Sequence, residues 1–472
     1  MTAPLRPGPL VVLHDHLDGG VRPTTVLELA GAAGLATPTD DPDGLAAWMT
    51  LSPDIDLSTA WERFALVISV LQTGRALRRV AREAVEDLAA DGVVHAELRF
   101  APLEHTRGDL DADRVLEAVL AGVADAADTG TTASIVVCGL REQDPARSLE
   151  AARLAARWAD RGVVGFDLAG LEPEHPAHEH AAAFDVAREA GLGLTVHAGE
   201  MDGVHQVADA VDSCRPHRLG HAWRLIDDCR VADGRIVELG PTARIVREQG
   251  LPLETCVTSN ACLGLDVADH PVRLLADAGF RITLSPDDRT ITTTTPAREF
   301  ELVARHHGMD RVELAAMAER AAVAAFGLSD EARAELVRRV HEGWAARPAR
   351  LVHLVGRDEW AAAGDPYLPA GFADEGFVHL SALHQVLGVA TAFFAGRRDL
   401  VALVVDAHLL HDAIVWEPGS GTAEWFPHLY GALPRHAVLA EVPFPPGPDG
   451  AFLLPPGLVR AVRRRGAGDL PV

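Results

Sequence analysis

Short apolar runs alternate with longer amphipathic ones through the first 300 residues. The short runs fall at 10–13, 93–100, 133–139, 163–169, 193–197, 217–220, 252–257 and 281–285. They are β-branched and bounded by glycine, proline or polar clusters, which predicts buried strands. Between most of them apolar residues recur at helical spacing, as at 112–128, 146–160, 179–190, 241–249 and 270–278. Three further helices, at 24–33, 57–72 and 75–91, follow the first strand, and 34–56, rich in Asp, Pro and Thr, reads as a loop. Eight strand–helix units predict an α/β fold, a (β/α)8 TIM barrel with extra helices. The alternative, a doubly wound open sheet, lacks its glycine-rich phosphate turn. Helical patterns continue at 297–307, 311–326 and 329–346. The pattern then changes to short β-like runs at 351–355, 376–380, 400–406, 413–416 and 437–444, with one helix near 382–395. The expected division is a barrel over 1–346 and a small α+β domain over 347–472.

Composition narrows the function classes. A net charge of −25 over 472 residues disfavours a nucleic-acid polymer as partner. The basic stretch Arg463–Arg465 reads as a solvated tail. No window has the apolar length of a membrane helix, and the N-terminus lacks a signal-like apolar stretch. Five cysteines without a Cys-X-X-Cys pair suit a reducing cytoplasm. There is no lysine, which excludes Schiff-base chemistry and lysine-dependent phosphate loops.

In a barrel of this kind, reactive groups belong just after the strands. The first strand ends in His14-Asp15-His16, whose two imidazoles share a face. Alone, such a pair is either half a metal site or two hydrogen-bonded strand-end histidines. Other strands end in Asp167-Leu168-Ala169-Gly170, His197-Ala198-Gly199-Glu200, Gly220-His221, Ser259-Asn260 and Ser285-Pro286-Asp287-Asp288-Arg289. His14, His16, His197 and Asp287 offer nitrogen and carboxylate donors without thiolate. That suits zinc in an open catalytic site, although iron, manganese or cobalt could take the same ligands. Glu200, three residues past a ligand, suits a proton donor and His221 a group that holds an attacking water. Their structural alternatives are a helix N-terminal carboxylate and a satisfied buried histidine.

These stretches resemble the adenosine deaminase family. The resemblance rests on His14-Asp15-His16-Leu17-Asp18-Gly19, Gln72-Thr73, Glu86 to Ala89, Ala96 to Pro102, Gly165 to Gly170, His197 to Glu200, Leu219 to His221, Ser259-Asn260 and Asp287-Asp288. They occur in the family's order over residues 10 to about 345. The resemblance implies a purine nucleoside partner and zinc-dependent conversion of adenosine or 2'-deoxyadenosine to the inosine form with release of ammonia. It implies one zinc per chain on His14, His16, His197 and Asp287. Glu200 would protonate purine N1, and His221 with Asp287 would activate the water. Gly170 and Asp288 would contact the base, Asp18 the ribose, and His16 would lie beside the substrate. Four positions depart from the family pattern: Gly20, Ala222, Pro286 and Arg289. An adenine or other aminopurine deaminase is the same-fold alternative, and a silent nucleoside-binding protein the alternative of another class.

With His353, Asp374 to Ser381, Gln385, Val415-Trp416-Glu417 and Phe426 to Gly431, residues 350–458 resemble a small family of unknown function, itself similar to the ADP-ribosyltransferase-like fold. His353, His379, Ser381, Glu417 and His428 either line a nucleotide pocket or are hydrogen-bonded strand-end residues. No reaction is assigned to them.

Overall fold

The computed structural model describes residues 7–52, 57–345, 347–419 and 422–463. Residue 346, on the expected domain boundary, and Arg464 and Arg465 of the basic tail lie outside the described residues. Eight parallel strands form one sheet in chain order: β1 Leu10–His16, β2 Val93–Phe100, β3 Thr132–Leu140, β4 Val163–Ala169, β5 Gly193–Ala198, β6 Arg218–His221, β7 Pro252–Thr255 and β8 Arg281–Leu284. The ends of β8 and β1 meet just past β8. His16 N–H donates to Asp287 O (2.8 Å) and Asp287 N–H to His14 O (3.1 Å), nearly closing the barrel.

Local sequence explains the surrounding helices. Thr73 caps Gly74–Ala90 by accepting from Ala76 N–H, and the helix stops before Gly92 at φ 87°. Leu77, Val80, Ala81, Ala84, Val85 and Leu88 form its buried stripe, spaced three or four apart. Thus Gln72-Thr73, one of the family-like stretches, is an entry to a helix. Three elements depart from the sequence reading. Pro42–Met49 is helical within the expected loop, with Asp41 capping it. Cys229–Ala232 and Arg235–Leu239 form a hairpin outside the barrel. Trp425–Leu429 is a strand despite Pro427.

After the helix Asp330–Trp344 comes a small sheet-rich domain. Its first sheet places Leu400–Asp406 between Arg350–Gly356 and Val438–Pro443, with an apolar cluster on each face. Its second places Trp425–Leu429 between Val378–His379 and Ile414–Pro418. The domain docks against segments that lead into β7 and β8 and against the helices Arg311–Ala324 and Asp330–Trp344. Arg463 pairs with Asp277 (2.7 Å) and Glu313 (2.6 Å), Arg244 with Asp449 (2.8 Å), and His341 stacks on Trp425. These contacts lie at the strands' starting end, opposite the rim that carries His14, His197 and Asp287. Among the described residues, no helix is long and apolar enough to cross a membrane.

Candidate active site

Strand alternation puts His14 and His16 on one side of β1, with ring centroids 5.3 Å apart. β5 supplies His197, and a left-handed residue after β8 supplies Asp287 (φ 65°). The four ligand atoms lie within 4.8 Å of one another. His16 Nε2 is 3.2 Å from His197 Nε2, and Asp287 Oδ1 is 3.0 Å from His14 Nε2 and 3.3 Å from His16 Nε2. The opposite ring nitrogens are already engaged. His14 Nδ1 donates to Glu254 Oε2 (3.0 Å) and His197 Nδ1 to Asp167 Oδ2 (3.1 Å). Both rings therefore keep an Nε2 lone pair aimed inward, as metal-binding histidines do. Three imidazoles and one carboxylate, oriented this way, fit a divalent cation.

Beneath this cluster lies a buried ionic network. Glu254 accepts from Arg99 (2.8 Å), Arg218 (2.6 Å) and Thr195 (3.0 Å) besides His14. Arg99 reaches on to Asp167 (2.9 Å) and Arg218 to Glu97 (2.5 Å). Burial alone would raise the Glu254 pKa, but Arg99 and Arg218 hold it well below the carboxylate range.

A second group adjoins the first. His221 Nε2 stands 3.6 Å from Glu200 Oε2 and 3.8 Å from Asp287 Oδ2. Burial, then the charges of Asp287 and Glu172, push the Glu200 carboxyl well above its usual range, which favours its protonated form. Its loop is pinned. The Glu172 carboxylate accepts from the amides of Gly199 (2.5 Å), Glu200 (3.0 Å), Met201 (2.8 Å) and Asp202 (3.0 Å). Trp223 Nε1–H donates to Glu200 O (3.0 Å).

A hydrogen-bond relay sets the His221 tautomer. Val272 N–H can only donate, and it donates to His270 Nδ1 (3.1 Å). Burial pushes His270 down to about 3, so its ring is neutral and its proton sits on Nε2. That proton goes to Asn260 Oδ1 (3.1 Å), which turns the Asn260 amide toward His221 Nδ1 (3.0 Å) as a donor. His221, itself held neutral by burial, therefore carries its proton on Nε2, facing Glu200 and Asp287.

Asp18 and Asp288 line the side away from β5. A Cβ on Gly19 would fall 1.7 Å from Asp288 Oδ1, so only glycine admits that carboxylate. Asp18 Oδ1 and Asp288 Oδ1 are buried without a hydrogen-bond partner. Gly170, ending β4 at φ 93°, has no room for a Cβ against Glu142. Of the four departures, Ala222 holds a left-handed backbone (φ 52°) where a glycine would be unstrained, at a cost of about 1 kcal/mol. Nothing in the structure explains Pro286. Gly20 and Arg289 lie against each other.

In the second domain His379, Glu417 and His428 come together with Phe377 and Tyr430. His428 Nδ1 donates to Glu417 (2.9 Å), Phe377 stacks on the His428 ring (centroids 4.1 Å), and Tyr430 O–H donates to Glu417 (2.9 Å). His353 lies behind them, bonded through Nδ1 to His379 O (2.8 Å), and Ser381 is buried where its backbone pairs with Val352.

Sequence reasoning gave no role to Glu254, Arg99, Arg218, Glu97, Glu172 or His270. The signal for the first four was charge inside apolar strands, which is rarely buried unless paired. Glu172 and His270 lie in loops, and no sequence pattern links them to the rim.

A four-ligand cluster that fits a divalent cation, beside a buried carboxyl of raised pKa on a barrel rim, defines the class, an amidohydrolase-type enzyme. Comparison with known proteins sharpens it. The family model for adenosine deaminase matches residues 9–343, and a model for a protein family of unknown function, DUF952, matches 354–441. The adenosine deaminase of Mycobacterium sp. (strain JLS) is 43% identical over 344 residues, 70% of this chain and 95% of that one. That of Mycobacterium avium (strain 104) is 42% identical over 350 residues, again 70% and 95%. Among solved structures, the adenine deaminase of Arthrobacter aurescens superposes with a TM-score of 0.65 at 25% identity, covering 72% of this chain and all of that one. The Arabidopsis N6-mAMP deaminase superposes at 0.60 and 26%, covering 71% and 98%. The chain belongs to the adenosine deaminase family.

Proposed function

We propose that the barrel hydrolyses adenosine and 2'-deoxyadenosine to inosine and 2'-deoxyinosine, releasing ammonia, with one zinc ion per chain held by His14, His16, His197 and Asp287. Zinc is favoured by the donor set, three imidazoles and a carboxylate without thiolate. Such an ion lowers the pKa of a water to about 7 and so supplies the oxygen nucleophile at neutral pH. The chain's own groups handle the protons. Glu200 gives its proton to purine N1 as oxygen adds to C6. The His221 Nε2–H holds the incoming oxygen, and Asp287 Oδ2 accepts its proton, while Ser259 O–H (2.7 Å) steadies that carboxylate. The Asp287 proton then passes to the amino group, the C6–N6 bond breaks to leave a C6 carbonyl and ammonia, and Glu200 recovers its proton from the next water. Asp288 and the Gly170 backbone orient the base, and His16 borders the substrate.

The observation that carries this reading is the buried Glu200 carboxyl, its pKa raised, 3.6 Å from His221 Nε2 at the edge of the four-ligand cluster. The unpartnered Asp18 oxygen supports a ribose hydroxyl as its partner, and so a nucleoside over free adenine. The similarity to the Arthrobacter adenine deaminase keeps adenine as the second substrate to try. The division near 346–350 separates this catalytic barrel from an accessory domain. Five free cysteines and the −25 charge support a cytoplasmic enzyme with small purine ligands. The test is the fall in 265 nm absorbance with adenosine, 2'-deoxyadenosine, adenine and AMP, with and without chelator. Turnover of the two nucleosides first, abolished by chelation, is the expected result.

A further inference from the structure

Two of the family departures are one structural feature. A Cβ built on Gly20 would lie 2.3 Å from Arg289 Nη2 and 2.7 Å from its Cζ. Gly20 does not have a positive φ, so its backbone would accept any residue. Space for the guanidinium is what the missing side chain provides. In that space Arg289, 8% exposed, donates through Nε to Asp15 Oδ2 at 2.7 Å. Asp15 is fully buried on the face of β1 opposite His14 and His16. The pair therefore ties the end of β1 to the segment after β8, behind the two runs that carry Asp18, Gly19, Asp287 and Asp288.

We infer that Gly20, Arg289 and Asp15 form a latch that positions the substrate-binding side of the site. The metal ligands have anchors of their own: Glu254 for His14, Asp167 for His197 and Ser259 for Asp287. Asp18 Oδ1 and Asp288 Oδ1 have none. Past the two backbone bonds between Asp287 and the end of β1, their segments are joined by Thr290 N–H and Ile291 N–H to Gly19 O (3.0 and 3.2 Å) and by the latch. Loosening it moves the groups that hold the nucleoside and spares those that hold the metal. Arg289 and Asp15 are positioning residues, and Gly20 makes room for them. The expected kinetic effect rests on the function proposed above, while the contact itself does not.

The test is a mutant cycle on the full, metal-loaded chain. Gly20→Ala should raise KM for adenosine about five-fold, within the usual range for coupled contacting residues, with kcat and metal content nearly unchanged. In an Arg289→Lys background, which removes the guanidinium and keeps the charge, the same substitution should leave KM unchanged. Equal KM effects in both backgrounds, or a loss in kcat with metal, overturn the latch. Thermal melting runs the same cycle without turnover. Gly20→Ala should lower Tm only when Arg289 is present, and additive Tm shifts overturn the contact. A wild-type protein inactive on adenosine would defeat the proposed reaction, and the Tm cycle would still decide the latch.

Discussion

Replacing Glu254 by Gln should loosen the metal and destabilise the barrel together. The carboxylate takes four hydrogen bonds, from Arg99, Arg218, Thr195 and His14, in a site closed to water. A glutamine oxygen can accept about two of them, and its amide turns two donors toward the remaining two. Each stranded buried donor costs about 1–3 kcal/mol, and breaking one member of a buried charge pair about 3–5 kcal/mol. These overlap, so about 3–5 kcal/mol is expected in all. His14 loses the acceptor that fixes its tautomer. Outer partners of this kind are worth about 10–100-fold in metal affinity. Two assays read the two effects: metal transfer to a chromophoric chelator, and denaturant unfolding. A variant that releases metal at the wild-type rate and unfolds within about 1 kcal/mol of it would refute the role given to the network.

Asn260→Asp reverses the relay, because a carboxylate facing His221 Nδ1 draws the proton there. kcat should fall about 10²–10⁴-fold with metal retained. Ring ¹⁵N shifts should show His221 protonated at Nδ1; an unchanged tautomer would contradict the relay. Stability should also fall in mild acid. His270 and His105 are buried and neutral, pushed down to about 3 and about 4, whereas unfolded histidines titrate near 6.5. The unfolded chain therefore takes up protons that the folded chain refuses, and stability present above pH 7 is lost as the pH falls through 6.5 toward 4. His105→Gln should remove about one proton from that slope between pH 6 and 5, read from Tm against pH, and an unaltered slope would count against a buried neutral His105.

The barrel was legible because its strands are short, apolar and regularly spaced, and because chemistry in such a fold gathers at strand ends. His14, His16, His197, Glu200, His221 and Asp287 all stand there. Pro42-Asp43-Gly44 resembles a turn, which hid the helix Pro42–Met49. Asp233-Gly234, the usual signal of a tight hairpin, went unused between Cys229 and Leu239. Pro427 disguised a strand. The supporting groups were harder to see. Glu254 and Arg218 belong to different strands and meet only when the barrel closes. Glu172 serves Glu200 from 28 residues away. The Gly20–Arg289 contact joins positions 269 apart, so each departure looked isolated in the sequence.

The metal-loaded barrel, with Glu200 as proton donor, is expected to deaminate a purine nucleoside. Glu200→Gln tests it most directly, with metal content and 265 nm turnover of adenosine measured on the same preparation as wild type. Equal metal in both proteins, turnover by wild type, and a loss of at least about 10²-fold in kcat for the variant are expected. Full activity in Glu200→Gln, or no turnover of adenosine by the metal-loaded wild type, would contradict it.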